Sequence, residues 1–263
     1  MFDIDFKKLD YKLLMEFESF LLLNKCKPNT ISLRMRTLRA LFNRAIRMNL
    51  VPPAYYPFNT KHKVGYKVIN VKSDYSIRSL SEEDLKSLKE FDIERYPNYA
   101  YTYYYFMFSY YARGINFIDM AKLRRNNAYD GRITYIRQKT GKSMSLRISE
   151  PIEYILNRIG NGKDGYLFPI LSALHQSEQQ QKDRIKKIRK KTNAELKRIG
   201  TILELDISLT TYVARHTYAS QLMRNDVPVH IIKNCLGHSS ESMTYTYLER
   251  LGFSKTDETD QYL

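Results

Sequence analysis

The stretch NYAYTYYYFMFSYYARGINFIDMAKL, residues 98–123, decides the fold because it is apolar or aromatic on nearly every side. A helix without a polar face has to be surrounded by other elements, so the stretch predicts a central helix in a sizeable core. We interpret its many tyrosines as packing residues rather than chemical groups. The buried helix is followed at once by Arg113.

The chain before this stretch is predicted to be helical. Residues 11–24, YKLLMEFESFLLLN, form one amphipathic segment, and a second segment starts at Pro28. In the second segment the apolar residues recur at spacings of three and four, as on one face of a helix. These residues are Ile31, Met35, Leu38, Phe42 and Ala45. The prolines of VPPAYYPF, residues 51–58, cannot continue a helix and therefore end the unit.

The chain is strongly basic, with a formal net charge of +15 over 263 residues. Such a surface attracts polyanions, and nucleic acid is the usual one, whereas a generic basic protein and a membrane-surface binder are the alternatives. We favour phosphate contact over mere solvation for the arginines of the second helix. The predicted DNA-contacting residues are Arg34, Arg36 and Arg39 on that helix, Lys61 and Lys63 in the segment after it, and Lys142 further along.

Residues 131–148, GRITYIRQKTGKSMSLRI, change from a helical to an alternating period. Ile133, Tyr135 and Arg137 fall on one side, and KTGK supplies a turn, which predicts a β-hairpin. Residues 182–198 hold nine Lys or Arg against two acidic residues and predict a basic helix or arm. Two further helices are expected, the second ending at Gly237. The predicted fold class is therefore mainly α with a small antiparallel β-sheet.

Composition excludes several classes of protein. No apolar run reaches the length of a membrane span, and the first residues lack the regions of a signal peptide. Cys26 and Cys235 lie far apart without metal-ligand spacing, which indicates free thiols in a reducing compartment. We therefore expect a cytoplasmic protein associated with the nucleoid, with no metal site.

Three separated pieces together suit phosphoryl transfer without a metal. They are ARGINFIDM (112–120), YIRQKTGK (135–142), and TTYVARHT (210–217) with the later LGHSS (236–240) and TYTY (244–247). Guanidinium groups bind two phosphate oxygens each and can carry the extra charge of a five-coordinate phosphorus. A lysine can protonate a leaving 5′-oxygen, and a tyrosine can attack phosphorus and hold it as an ester.

In this combination and order, the pieces resemble the tyrosine recombinase (phage integrase) family. The sequence motifs ARG, LTTYVARHT and LGHSS are similar to those of integrases of Bacteroides-type conjugative and mobile elements. The resemblance covers most of the chain, since PNTISLRMRTLRALFNRAI and YPF are similar to the family's helical core-binding domain. It implies a SAM-like core-binding domain of residues 1–58, a linker of residues 59–78 and a mixed α+β catalytic domain of residues 79–263.

The resemblance also implies a catalytic set, matched residue by residue. Its members are Arg113, Lys139, Tyr212, Arg215, His238 and Tyr247. Tyr247, nine residues after the histidine, is the implied nucleophile, and Tyr245 is interpreted as a packing or spacer residue.

The chain departs from the family's pattern at two positions. Tyr212 replaces the first histidine of the His-x-x-Arg box, and a phenol with a pKa of about 10 is a poorer base than imidazole. His216 is an alternative, although one residue's offset on a helix turns it about 100° away from its neighbour. Asn116 stands where the family often has an acid, and Asp119 either supplies that charge or is a structural helix residue.

The implied function is site-specific DNA recombination through a 3′-phosphotyrosyl intermediate, with no cofactor. The implied partners are double-stranded DNA with core-type inverted repeats and three further copies of the chain, assembled from monomers in solution, with or without a DNA-bending protein. A type IB topoisomerase and a non-catalytic DNA-binding regulator on the same scaffold are the alternatives. Residues 251–263 either dock on a neighbouring copy through Leu251 and Phe253 or form a frayed acidic tail.

Overall fold

The computed structural model describes residues 4–69, 79–159 and 163–250. The chain divides into two compact units, Met1–Tyr75 and Ser76–Leu263. The described helices are α1 (Tyr11–Leu23), α2 (Pro28–Arg47), α3 (Glu82–Lys89), α4 (Ala100–Tyr111), α5 (Phe117–Ala121), α6 (Glu150–Ile159), α7 (Glu178–Ile202), α8 (Thr211–Arg224), α9 (Val229–Leu236) and α10 (Glu241–Arg250). The strands are β1 (Ala128–Tyr129), β2 (Arg132–Ile136) and β3 (Ser143–Arg147). Residues 251–263, expected either to dock on a neighbouring copy or to form a frayed tail, lie outside the described residues.

The first unit is built on α1 and α2, close to where the hydrophobic pattern places them. The Asp10 carboxylate accepts a hydrogen bond from the backbone N–H of Leu13 and so caps α1. Pro28 occupies the first turn of α2, where its missing N–H costs no helix hydrogen bond. The predicted apolar stripe of α2 faces the core, and its arginines are exposed.

The segment predicted to be a linker contributes to the core of the first unit. Tyr66 is only 3% exposed and pairs with Phe58 through a β-bridge. Gly65 lies so close to residue 57 that a Cβ there would sit 2.5 Å from the Pro57 carbonyl oxygen. The part of this segment around Tyr66 therefore packs onto the first unit, whereas residues 70–78 of the predicted linker lie outside the described residues.

The second unit surrounds α4, as its apolar composition predicts. Residues 102–109 of this helix are all buried, and α6, α7 and α8 pack against it. The β-strands form one antiparallel sheet in the order β1-β2-β3. Ile133 and Leu146 face each other across β2 and β3 and turn one side of the sheet into this core. The predicted fold class, mainly α with a small antiparallel sheet, is confirmed.

A smaller apolar cluster joins α8, α9 and α10. Its buried members are Ala219, Ile232, Leu236 and Leu248. The cluster fixes α10 against the two preceding helices, and Tyr247 packs on it. None of the helices in the described ranges has both the length and the apolar character required to cross a bilayer.

Candidate active site

A left-handed turn after α4 carries Arg113. Both Arg113 and Gly114 have positive φ angles, 58° and 67°. Glycine is required at the second position, because a Cβ there would lie 2.8 Å from the Cγ of Arg215. Arg113 is half-buried, and its Nη1 donates to the carbonyl of Ser145 on β3 at 3.2 Å. The turn therefore places the Arg113 side chain beside the sheet and the Gly114 backbone against Arg215.

Arg215 lies inside the second unit with 4% of its surface exposed. Its guanidinium donates to the carbonyl of Gly114 at 2.8 Å and to the carbonyl of Leu236, the last residue of α9. Burial, and then repulsion from Arg137, lower the pKa of this side chain. The two carbonyls therefore hold the guanidinium group in one place.

Arg137, at the end of β2, is a second buried arginine that the sequence did not single out as functional. It is 5% exposed, and its Nη1 donates to the carbonyl of Gly237. Gly237 closes α9 in a left-handed conformation, with its own N–H bonded to the Asn234 carbonyl. The two arginines thus bond the last carbonyls of α9, where the helix dipole favours positive charge. No sequence signal identifies such backbone acceptors.

The β2–β3 turn presents Lys139 in an exposed position. Asp119 of α5 is buried and accepts a hydrogen bond from the backbone N–H of Gln138, directly before Lys139. Burial raises the pKa of this carboxyl group, against the effects of the Gln138 hydrogen bond and Arg137. Asp119 therefore fixes the start of the turn that carries the lysine.

His238 follows the end of α9 and is half-buried. Its Nδ1 lies 3.0 Å from the Oγ1 of Thr244, a fully buried residue of α10. Burial, followed by the positive charges of Arg215 and Arg137, lowers its pKa to about 4, and Lys139 and Lys142 act in the same direction. His238 is therefore neutral at pH 7.

Tyr245 and Tyr247 separate on α10, as two residues about 200° apart on a helix must. Tyr245 is 52% exposed. Tyr247 is half-buried, and its ring centroid lies 5.5 Å from that of His238. Burial raises the pKa of its hydroxyl, although Arg215 acts in the opposite direction. Of the two tyrosines, Tyr247 is the one turned toward Arg215 and His238.

His216 contacts the hydroxyl of Tyr247. Its Nδ1 lies 2.5 Å from the Tyr247 oxygen, and the two ring centroids are 5.4 Å apart. Burial, and then Arg215, lower the pKa of His216 to about 4. Tyr212, one turn earlier on α8, is half exposed and packs edge-on against the same imidazole at 4.9 Å. The angle between Arg215 and His216 on α8 does not predict this contact, which depends on the position of α10.

The structure brings most of the sequence-matched residues together within the second unit. Tyr212 and Tyr247 both contact His216, and His238 packs against the ring of Tyr247. Arg215 bonds the backbone of Gly114 beside Arg113, and the turn with Lys139 is tied to the end of α9 through Arg137. The matched residues are contributed by the ends or faces of α4, α8, α9 and α10 and by the sheet turn. A cleft of about 240 Å³ beside this sheet turn is lined by Asp119, Lys122, Tyr135 and Gln138, among others.

The predicted DNA-contacting residues divide between the two units. Arg34, Arg36 and Arg39 are exposed on α2, and Lys61 and Lys63 are exposed in the segment after it. Lys142 lies in the sheet turn, with its Nζ 3.4 Å from Asn234 Oδ1. In the second unit the basic stretch of residues 182–198 is a helix, part of α7, and its Lys and Arg residues are exposed except for Arg184, which is half-buried.

Two family models match most of the chain. The family model "Phage integrase family" matches residues 78–251, and "Phage integrase SAM-like domain" matches residues 2–64. The chain is 25% identical over 249 residues to the putative integrase of Pseudomonas phage Pf1, covering 92% of this chain and 66% of that protein. It is 25% identical over 202 residues to tyrosine recombinase XerA of Pyrococcus furiosus, covering 74% and 65%.

The fold is also that of solved integrases. A lambda integrase dimer bound to a COC′ core site matches with a TM-score of 0.65 at 12% identity, over 97% of this chain and 84% of that one. The chain spans about two thirds of the length of the two curated relatives described above.

Proposed function

We infer the function of this chain from its family and its site: the chain belongs to the phage integrase family, whose model matches residues 78–251. On that premise we propose that it is a site-specific DNA recombinase, which cuts and rejoins DNA through a 3′-phosphotyrosyl intermediate. The observation that carries the proposal is the half-buried Tyr247 beside a buried arginine: its hydroxyl contacts the neutral His216, and its ring packs against the neutral His238.

In the proposed reaction the oxygen of Tyr247 attacks the scissile phosphorus and gives up its proton. A phosphotyrosyl bond forms, the bond from phosphorus to the 5′-oxygen breaks, and Lys139 supplies a proton to that oxygen. The ester keeps the energy of the phosphodiester, so the 5′-hydroxyl of a partner strand can reverse the step without ATP or a metal ion.

The remaining matched residues stabilise the charge that develops during attack. Arg113 and Arg215 bind the non-bridging oxygens, and Arg215 is already fixed by two carbonyls, so little reorganisation is needed. His238 and Tyr212 donate hydrogen bonds to the same phosphate. The neutral groups therefore orient the phosphate, and the cations neutralise its negative charge.

The proposal extends to the organisation of the chain and its partners. The first unit is a SAM-like core-binding domain, the second is catalytic, and both contact double-stranded DNA with core-type inverted repeats. Four copies exchange strands between two duplexes, with or without a DNA-bending protein. The setting is the nucleoid in the cytoplasm, and the pieces ARG, LTTYVARHT and LGHSS favour a mobile element of the Bacteroides type.

The test is covalent adduct formation on a DNA substrate nicked near its cleavage position, followed by peptide mapping of the linked residue. Tyr247→Phe removes one oxygen and keeps the ring, so it should abolish the adduct and leave DNA affinity intact. Tyr245→Phe is the matched control and should keep the adduct, because this side chain is exposed on the other side of α10.

Three results would contradict the proposal. An adduct that persists in Tyr247→Phe, or maps to Tyr245, removes Tyr247 as nucleophile. Sequence-specific binding without any adduct indicates a regulator, and adduct formation that needs no defined core sequence indicates a topoisomerase.

A further inference from the structure

His216 lies next to Tyr247, the proposed nucleophile, and is not one of the residues matched to the family. Its imidazole Nδ1 lies 2.5 Å from the hydroxyl oxygen of Tyr247. Tyr212, which stands where the family has a histidine, is half exposed and meets the imidazole of His216 only by its ring edge. The group in hydrogen-bond reach of the reacting oxygen is therefore His216.

We propose that His216, rather than Tyr212, is the general base that takes the proton from Tyr247 when this oxygen attacks the phosphate. The proposal rests on the recombinase function and deepens it by assigning a further catalytic residue. It also gives Tyr212 a single task, hydrogen bonding to the phosphate, which a phenol can perform without losing its proton.

The geometry explains how adjacent residues of one helix can both serve the site. Arg215 extends from α8 toward Gly114 and the end of α9, whereas α10 packs on α9 and brings Tyr247 to His216 of α8. A phosphate site enclosed by several elements can be lined from directions about 100° apart on one helix. The offset that separates His216 from Arg215 therefore points it at the nucleophile.

The protonation state suits a base. His216 is neutral at pH 7, because burial and then Arg215 lower its pKa to about 4. The tautomer with its proton on Nε2 leaves the Nδ1 lone pair free to accept the Tyr247 O–H. The charged and titratable groups around it are Arg215, Tyr212 and Tyr247.

Phosphate binding strengthens this base at the moment it is needed. A phosphodiester against Arg215 adds a negative charge that offsets the repulsion now lowering the pKa of His216. As the oxygen–phosphorus bond forms, the Tyr247 O–H becomes more acidic, and its proton passes to Nδ1. His216 is then an imidazolium, the Tyr247 oxygen is the ester oxygen, and religation returns the proton to the tyrosine.

Two variants at one position separate a base from a residue that only holds the tyrosine. His216→Gln retains an amide oxygen able to accept the Tyr247 hydrogen bond but cannot take its proton, and His216→Ala retains neither. Both should slow single-turnover adduct formation by about 10²- to 10⁴-fold. His230→Ala, at an exposed histidine of α9, is the matched control and should leave the rate unchanged.

A second arm uses the nucleophile itself. Replacing Tyr247 in His216→Ala by a fluorinated tyrosine, whose phenol is more acidic, should restore much of the lost rate because less help with the proton is required. A variant whose fold had collapsed would not regain activity in this way. In the unmodified chain, ¹⁵N NMR should report an unprotonated Nδ1 of His216 at pH 7 whose resonance shifts in Tyr247→Phe.

Five results would overturn either the proposed role of His216 or the recombinase function on which it rests. A wild-type rate in His216→Gln would reduce His216 to a positioning residue, and a protonated Nδ1 at pH 7 would remove it as a base. A larger loss in Tyr212→Phe than in His216→Ala would return the role to Tyr212. If the folded wild type forms no adduct at all, the recombinase function itself fails, whereas a wild-type adduct that survives His216→Ala overturns only the present inference.

Discussion

The guanidinium of Arg137 donates a hydrogen bond to the carbonyl oxygen of Gly237. Arg137 lies two residues before Lys139, and Gly237 lies directly before His238. One buried bond therefore ties the sheet turn that carries Lys139, the proposed acid, to the helix end that carries His238, the proposed phosphate ligand. Segments of the site about 100 residues apart are thus joined by bonds from arginine side chains to backbone carbonyls, and not by bonds between the site side chains themselves.

Arg137→Met should loosen this connection while filling similar space. The Gly237 carbonyl is deprived of a charged partner, so the free energy of unfolding should fall by about 1.5–3 kcal/mol. Adduct formation should also slow, because Lys139 and His238 are no longer held in fixed positions relative to each other. Chemical denaturation and the nicked-substrate assay measure the two effects, and Arg147→Met, at an exposed arginine of β3, should leave stability unchanged. Equal stability in the two variants would show that the Arg137 bond contributes nothing.

Arg113→Ala and Arg215→Ala should both abolish adduct formation but differ in stability. Arg113 is half-buried with one bond of 3.2 Å to the Ser145 carbonyl, so its removal should change the melting temperature little. Arg215→Ala leaves two buried carbonyls without their charged donor and should cost about 2–3 kcal/mol or more. Calorimetry on both variants is the measurement, and a destabilised Arg113→Ala beside a stable Arg215→Ala would contradict the assignment of roles.

Gly114→Ala should damage both folding and the site. Gly131→Ala is its matched control, because Gly131 has φ 66° against 67° at Gly114 but no atom within 4 Å of a built Cβ. Both changes incur the left-handed penalty of about 1–2 kcal/mol. Only Gly114→Ala also displaces Arg215, which should add about 1–3 kcal/mol and remove the adduct. Denaturation curves that coincide for the two variants would contradict the steric argument.

The stability of the second unit should fall as pH drops from about 6.5 to about 4. His216 and His238 have pKa values lowered from 6.5 to about 4, so the unfolded chain binds their protons first. Their contribution is present above pH 6.5 and disappears through this window. Asp119, with a raised pKa, opposes the decline at the acid end.

His238→Asn should flatten this pH dependence by removing one titrating group, whereas His230→Asn should not. The comparison uses urea midpoints at several pH values, corrected for any change in the denaturant slope. A profile that stays equally steep in His238→Asn would show that this histidine is not protonated on unfolding.

Binding to DNA should weaken linearly on a log–log scale as salt rises. If about six phosphates are neutralised, the slope should be about five. Replacing the exposed Lys186, Lys190 and Lys197 of α7 by Gln should lower the slope by about one for each phosphate that a replaced lysine neutralises. Fluorescence anisotropy at several salt concentrations gives the slope, and a flat salt response would contradict phosphate-dominated binding.

Hydrophobic periodicity was sufficient to predict the major helices and the hairpin. The apolar spacing of α2, the all-round apolarity of α4 and the alternation of residues 131–148 each match the observed elements. The resemblance to the family predicted Tyr247, Arg113 and Arg215 as site residues, because these residue types occur in the family's order along the chain. The prediction of a linker at residues 59–78 did not include the packing of Tyr66 in the core of the first unit, since the residues around this tyrosine are mostly polar and show no hydrophobic period.

The contact of His216 with Tyr247 and the three carbonyl acceptors of the buried arginines could not be predicted, because each depends on how elements distant in sequence meet. A helix considered alone gives the angle between Arg215 and His216, but it does not say which neighbour lies on each side. The carbonyls of Gly114, Leu236 and Gly237 belong to every residue type alike, so no sequence pattern distinguishes them as partners of buried guanidiniums.

The arginine bonds to Gly114 and Gly237 span 101 and 100 residues of chain. Contacts that close such long loops form late, because their entropic cost is met only when the intervening chain is already ordered. During synthesis, the segments bearing Arg113 and Lys139 leave the ribosome well before Tyr247 does. We therefore expect a partly made or partly folded chain to be unable to break DNA, so that cleavage chemistry becomes available only to a molecule that has finished folding.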